Sequence, residues 1–336
     1  LNTVIHWSGR ALWLEKKINR FIRNVKDDDL PFIYFTRLYY ETMSNYLSGQ
    51  LITDSSNDEI VFKYAMSTGR IWATTVYHVY KGIGYVELGM KKEVLKLIDH
   101  LYIITSLEHS FSLTQYYRLK MTYFLKFRKM EDLLGEAKKG IEAISKTDHS
   151  SILLLGHSIL SMAYSLHDNL PKAQEHLTKS KVLAKKLWVK YYASMANLSQ
   201  VYYDLAKIKR KGNSPSKSEA NELLKHTKEL IFNSKSVYCN KTEAYRLRAI
   251  SYFYAQKTNK AAKCLKKSID FAHYYGSKLE GSRTYFETGK FLSDPNVKSQ
   301  ELDGKTARHY LENAKSMFEE MDLQWDLEEY RTFTSH

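Results

Sequence analysis

LGHSILSMAYSLHDNLPKAQEHLTKSKVLAKK, residues Leu155–Lys186, decides how the rest of the chain is read. Leu160, Ser161 and Tyr164 share one face of a first helix, at i, i+1 and i+4. Asp168-Asn169 supplies a turn. Pro171 then opens a second helix, where its fixed φ and missing N–H cost nothing. On that helix Ala173, Leu177, Ser180 and Ala184 recur at i, i+4, i+7 and i+11, with small residues where two helices must come close. Such an antiparallel hairpin cannot bury its own apolar face and needs a copy on either side.

Copies are present. Gly82 and Tyr85 take the places of Ser161 and Tyr164, with Val94, Ile98 and Leu101 on the following helix. Next come Met121 and Phe124 with Leu133, Ala137 and Gly140. After the reference unit come Ser199 and Tyr202 with Ala220, Leu224 and Thr227, then Ala249 and Tyr252 with Ala261, Leu265 and Ser268. Gly289 and Leu292 with Ala307, Leu311 and Ala314 close the series. The first marks of the second helices stand at 94, 133, 173, 220, 261 and 307, so the gaps are 39, 40, 47, 41 and 46. The two long gaps hold visible insertions, Lys209–Ser218 and Ser293–Gly304, which a solenoid places between helices. The underlying period is about 40 residues, outside the usual ~34 of the tetratricopeptide repeat.

The small-x-x-aromatic spacing and the Ala-x-x-x-Leu-x-x-Ala/Ser helix nevertheless resemble that repeat. The long period is similar to the variant in the sensor domain of the bacterial maltose-regulon transcription activator. It also resembles the C-terminal repeat regions of signal-transduction ATPases and soluble-type class III nucleotide cyclases. The ending TARHYLENAKSMFEEMDLQWDLEEYR resembles the terminal unit of cyclase- and kinase-linked arrays. This resemblance implies an all-α, right-handed α-solenoid of antiparallel helix hairpins over residues 72–336, with any cyclase, ATPase or kinase core lying upstream of Leu1. The chain opens on leucine where an initiator methionine is expected, which reads as a segment of a longer protein.

Residues 1–71 match the repeat poorly and read as N-terminal helices, divergent repeats or a cap. Trp7, Ala11, Leu14, Ile18, Phe21 and Ile22 form the apolar side of residues 1–26, followed by the acidic run Asp27–Asp29 and Leu30-Pro31. A tyrosine-rich helix is expected over 32–48, a polar loop at Thr53–Asn57, and a helix from Asp58 to Met66.

Composition agrees with long helices: of 336 residues only 14 are Gly and 4 Pro, while 26 are Tyr. The net charge of +14 raises the question of nucleic acid or an anionic surface. The lysines are dispersed, as in Lys179, Lys181, Lys185, Lys186 and Lys190, and no arginine-rich block or RNA-binding signature occurs, so they read as solvated helix faces. Two cysteines, Cys239 and Cys264, make no disulfide framework, and no apolar run approaches the ~20 residues of a membrane span. A cytoplasmic location is expected.

Catalytic and metal motifs fail on inspection. KGIGYVELG, Lys81–Gly89, lacks the G-x-G-x-x-G spacing and follows a helical stripe. The 12 histidines show no H-E-x-x-H spacing, and Gly156-His157-Ser158 is not a nucleophile elbow. No enzyme activity, cofactor or metal is expected in this segment. The doubled tyrosines at 39–40, 116–117, 191–192, 202–203 and 274–275 point about 100° apart, so one of a pair can pack inward while the other faces out. They read as wall residues between repeats, the alternative being that some line a groove for a peptide.

By analogy with tetratricopeptide repeats, the first helices line the concave side. Counting from Met121, Ser161, Ser199, Ala249 and Gly289, the inward candidates are Arg118, Thr122, Ser158, Met162, Ser165, Gln200, Tyr203, Arg246, Phe253, Phe286 and Lys290. Arg118, Arg246 and Lys290 favour an acidic ligand segment. The reading is therefore a non-catalytic protein–protein or peptide interaction segment, the regulatory part of a larger signalling protein. Its partner would be a protein, a peptide or an upstream domain of the same chain. The alternatives are a free-standing peptide receptor or scaffold, which would show a closed superhelix with an asparagine-bearing inner wall, and, less favoured, a nucleic-acid-binding repeat.

Overall fold

The computed structural model describes residues 31–106, 110–147, 149–187, 189–212 and 214–335. The expected helix over 1–26 and the acidic run after it lie outside the described residues. Among the described residues fifteen α-helices follow one another. They are α1 (Pro31–Ser48), α2 (Ser56–Thr68), α3 (Ile71–Leu88), α4 (Lys91–Thr105), α5 (Ser110–Lys126), α6 (Met130–Ser145), α7 (Ser150–Leu166) and α8 (Leu170–Lys186). The series continues with α9 (Lys190–Arg210), α10 (Lys217–Asn233), α11 (Lys241–Tyr254), α12 (Thr258–Tyr275), α13 (Lys278–Ser293), α14 (Ala307–Glu320) and α15 (Gln324–Thr334).

The reference hairpin is α7–α8. Asp168 bends the chain in the left-handed region at φ 55°, and the Asn169 side chain accepts a hydrogen bond from Lys172 N at 3.3 Å, which caps α8. Small residues allow the close approach: Ser161 Oγ donates to the Ala173 carbonyl at 3.0 Å, and Ser158 and Ser180 hydroxyls meet at 2.7 Å. Gly289 stands likewise against the Ala307 carbonyl and Leu311. Left-handed residues recur where a first helix turns into its second, at Gly89, Arg128, Asp168, Gly212 and Gln256.

Gly82 shows what the hairpin-to-hairpin contact demands. A Cβ there would come within 2.6 Å of Leu119 on α5. Gly82→Val should therefore destabilise the chain by about 1–3 kcal/mol through overpacking, outweighing the better helix propensity. Thermal unfolding measures it, and a variant as stable as the parent would refute this packing. Gly89 ends α3 at φ 73°, so the three glycines of Lys81–Gly89 serve packing and capping.

Each hairpin leans on its sequence neighbours, and apolar side chains form successive clusters along the row. Tyr164 borders one cluster and Tyr252 another, so the repeats do not share a single centre. The largest cluster does something a straight row would not: it joins Tyr46 of α1 and Tyr80 of α3 to Leu279 of α13 and to Phe318 and Leu327 near the other end. Gly49 faces the Tyr275 ring, Gly89 faces Met321, and Lys91 pairs with Asp322. Ser277 Oγ donates to Glu87 Oε2 at 3.1 Å, across 190 residues of chain. The superhelix closes on itself.

One expectation needs correction. The insertion Ser293–Gly304 is not all loop: Glu301-Leu302 pairs antiparallel with Lys305-Thr306 around Asp303-Gly304. Both turn residues have positive φ, 50° and 70°, as a two-residue Asp-Gly hairpin requires. The tyrosine doublets take both arrangements. Tyr275 is 7% exposed beside Tyr274 at 79%, but Tyr191 and Tyr192 are both buried because the start of α9 is walled on two sides.

Candidate functional site

The closed superhelix encloses a cavity on its axis, and first helices supply nearly all of its wall. Ile83 and Glu87 come from α3, and Arg118, Thr122, Leu125 and Lys126 from α5. Leu155, Ile159, Met162 and Leu166 come from α7, and Tyr191, Met195, Leu198 and Tyr202 from α9. The spacing 155, 159, 162, 166 is a helical stripe of period 3.6 facing inward. Tyr46, Arg128, Asn240, Glu243 and Arg283 complete the wall. The cavity is narrow: the centre of a water molecule can occupy only about 40 Å³ of it. That is room for a few waters, so a larger guest needs the first helices to part.

One end of this cavity is a buried ionic network that ties the two ends of the chain together. Lys126 Nζ contacts Glu280 at 2.8 Å, Glu243 at 2.9 Å and Glu87 at 3.2 Å. Arg246 binds Glu280 at 2.8 Å, and Tyr202 donates its hydroxyl to Glu243 at 2.6 Å. Arg283 grips Asp326 with Nε and Nη2 at 2.8 and 2.9 Å and donates to the Lys126 carbonyl at 2.7 Å. Burial alone pushes the Glu280 carboxyl up, but Lys126, Arg246 and Arg283 overcome it and hold it well below the usual range. Burial also pushes Glu87 up, and there only Lys126 opposes it, so Glu87 titrates above an ordinary glutamate. One lysine shared by three carboxylates makes these groups interdependent.

The other end is different. Arg118 is 4% exposed and lies over the Tyr80 ring at 5.0 Å. Nη1 donates to Gln115 Oε1 at 3.2 Å, while Nε and Nη2 have no hydrogen-bond partner. Tyr46, Tyr80, Tyr191 and Tyr192 are its electrostatic neighbours, and neutral phenols cannot balance a guanidinium that is always charged. Arg128 lies toward the ionic end instead, over the Tyr202 ring at 5.8 Å and near enough to Asp326 to help hold its carboxyl down. It occupies the left-handed turn position that Gly89 fills one repeat earlier, and its Nε and Nη1 are buried and unpaired.

Comparison with known proteins adds the fold. No family model and no curated protein matches the sequence. Among solved structures, the chain is similar to a Rap protein complexed with competence and sporulation factor, at 12% identity over 98% of this chain and 92% of that one, with a TM-score of 0.57. It is also similar to aspartyl phosphate phosphatase F from Bacillus subtilis, at 14% identity over 99% of this chain and 86% of that one, with a TM-score of 0.51. What they share with it is the fold. The chain is a tetratricopeptide-like, all-α solenoid.

Of the residues expected on the concave face, the structure brings Arg118, Thr122 and Met162 to the cavity wall. Arg246 stands behind it in the ionic network. Ser158 and Ser165 are buried between helices, on Ser180 and on the Ser161 carbonyl. Gln200 binds Asp204 and Lys181 on the flank of α9, and Tyr203 carries Lys207 over its ring at 5.7 Å. Phe253 and Lys290 line a separate depression beside α15, and Phe286 joins Lys290 in a wider groove with Trp325. Glu87, Lys126, Glu243, Glu280 and Arg283 were missed. A signal existed: Lys241–Arg246 (KTEAYR) and Lys278–Arg283 (KLEGSR) open two first helices with the same K-x-E-x-x-R pattern.

Polar rungs recur where a first helix meets its second. His78 and His100, Ser158 and Ser180, and Asp204 and His226 all pair across 22 residues of sequence. His157 and His176 meet at 3.0 Å. Among the described residues no group of three or more His, Cys, Asp or Glu is placed to hold a metal. Burial pushes His78 down to about 3 and His157 down to about 4. The unfolded chain takes up these protons near pH 6.5, the folded chain only well below it. The stability is therefore complete above pH 6.5 and is lost as pH falls from 6.5 toward 4, by at most about 1.4 kcal/mol per pH unit for His78. Thermal unfolding from pH 7.5 to 4.5 should show this slope, reduced by about one proton in His78→Gln; an unchanged slope would contradict it.

Proposed function

We propose that the chain is a non-catalytic recognition module of a signalling system that takes a short peptide in the axial cavity and reports its presence to a protein partner through the closure of the superhelix. The carrying observation is the inner wall itself. Apolar stripes from α7 and α9 face polar groups of α5 and its neighbours, and among these the unused Nε and Nη2 of Arg118 can meet acceptors of an extended peptide. The similar Rap structure, which contains competence and sporulation factor, supports a ligand-binding use of this fold. A free-standing receptor and a sensor carried by a longer chain with a cyclase, ATPase or kinase core would use the cavity in the same way. An acidic ligand segment suits the unpaired arginines, and a cytoplasmic setting suits the free thiols of Cys239 and Cys264.

The test is selection from a random pentapeptide library by the full chain and by Met162→Trp, which fills the cavity. The parent should retain a convergent set of sequences, and the filled variant, folded by circular dichroism, should retain it at least tenfold less. Equal retention by both proteins, or none by the parent, would sink the proposal.

A further inference from the structure

Two buried arginines in this protein are matched to carboxylates. Arg283 presents its Nε/Nη2 edge to both oxygens of Asp326, and Arg246 binds Glu280. Arg118 presents the same Nε/Nη2 edge, the one whose two parallel N–H bonds fit a carboxylate, and that edge has no partner. The residue lies on the cavity wall and is 4% exposed, so bulk water does not relieve its charge. Its neighbours are neutral: Gln115 holds Nη1, and tyrosines wall the rest. The carboxylates of the opposite end cannot serve it, because Glu243 and Glu280 are engaged by Lys126 and Arg246, and Glu87 by Lys126 and Ser277.

We infer that Arg118 is the receptor for one carboxylate of the bound peptide, either its C-terminus or an Asp or Glu side chain. This rests on the peptide reading given above and adds the chemical group that the cavity selects. A planar carboxylate suits the fork and the flat tyrosine walls. A phosphate dianion would carry more charge than this single guanidinium balances, in a cavity that also holds Glu87 and Glu243. Capture of the carboxylate would complete the hydrogen bonding of a side chain that otherwise leaves two donors unused, which helps to offset the parting of the first helices that a guest requires.

Two measurements on the full chain test the assignment. In the first, N-acetylglycine and N-acetylglycinamide are titrated while the Arg118 Nε–H resonance is followed, assigned by its loss in Arg118→Gln. The acid should shift it saturably and the amide should not. In the second, random pentapeptide libraries with free-acid and amidated C-termini are selected on the parent, Arg118→Gln and Arg118→Lys. Arg118→Gln should lower retention of carboxylate-bearing peptides at least tenfold. Arg118→Lys, which keeps the charge and loses the fork, should lower it less. Enrichment confined to the free-acid library assigns the C-terminus; an Asp or Glu enriched at one position in both libraries assigns a side chain. No response of Arg118 to the acid overturns the assignment whether or not peptides bind. Peptides retained equally by the parent and Arg118→Gln overturn it while the peptide reading stands. A saturable response with no peptide retained supports the carboxylate site and overturns the peptide reading.

Discussion

Lys126→Met should lower the melting temperature by about 10 °C and open the superhelix. The side chain it removes is the cation shared by Glu87, Glu243 and Glu280, which come from α3, α11 and α13. Breaking a buried pair costs about 3–5 kcal/mol, because the partner charges stay behind without compensation. In a chain of this size each kcal/mol moves the midpoint by roughly 2–4 °C. The three carboxylates would then repel one another across the junction of the two ends, so the radius of gyration from solution scattering should rise as well. Glu87→Gln is the internal control. Its carboxyl is the one that burial pushes up, and its removal leaves Lys126 with two anions, so the loss should be below about 1 kcal/mol. If Lys126→Met melted with the parent and kept its dimensions, the network would not be what holds the ends together.

Arg118→Met should act in the opposite direction. The ligand-free protein should gain about 1–3 kcal/mol, since the substitution replaces a buried charge with two unused donors by an apolar side chain of similar length. It should at the same time lose peptide binding. A residue that costs stability and carries recognition is the pattern expected of a binding site. Chemical denaturation of parent and variant, each with and without the selected peptide, separates the two effects. Destabilisation of the ligand-free protein by Arg118→Met would mean that the guanidinium is satisfied inside the fold, and the binding role would fall with it.

The architecture was legible because its causes are local. Ser161, Ala173 and Ser180 are small where α7 and α8 touch, and Pro171 sits where a helix tolerates it; both facts lie within one stretch of 32 residues, Leu155–Lys186. Closure of the superhelix was not legible. It depends on Glu87 meeting Ser277 and on Gly89 meeting Met321, contacts between residues that no local periodicity relates. The site stood between these cases. Arg118, Thr122 and Met162 fell on the cavity wall because the first-helix stripe is local, whereas Ser158, Ser165 and Gln200 are turned aside to hydrogen-bond neighbouring helices or their own backbone. Lys126 and its carboxylates read as ordinary surface charges one helix at a time, and only closure makes them a network. The histidine pair at 157 and 176 hid for a similar reason: its spacing is the length of a hairpin, not a turn of one helix.

Hydrogen–deuterium exchange of the full chain, with and without a peptide selected from the library, tests most directly that the axis of the closed superhelix is the recognition surface. Added protection should concentrate in the inner helices α3, α5, α7 and α9 and at the junction of α3 with α13, while the outer helices α6, α8 and α10 exchange as before. Protection confined to the outer helices, or to the groove beside α15, would contradict the account.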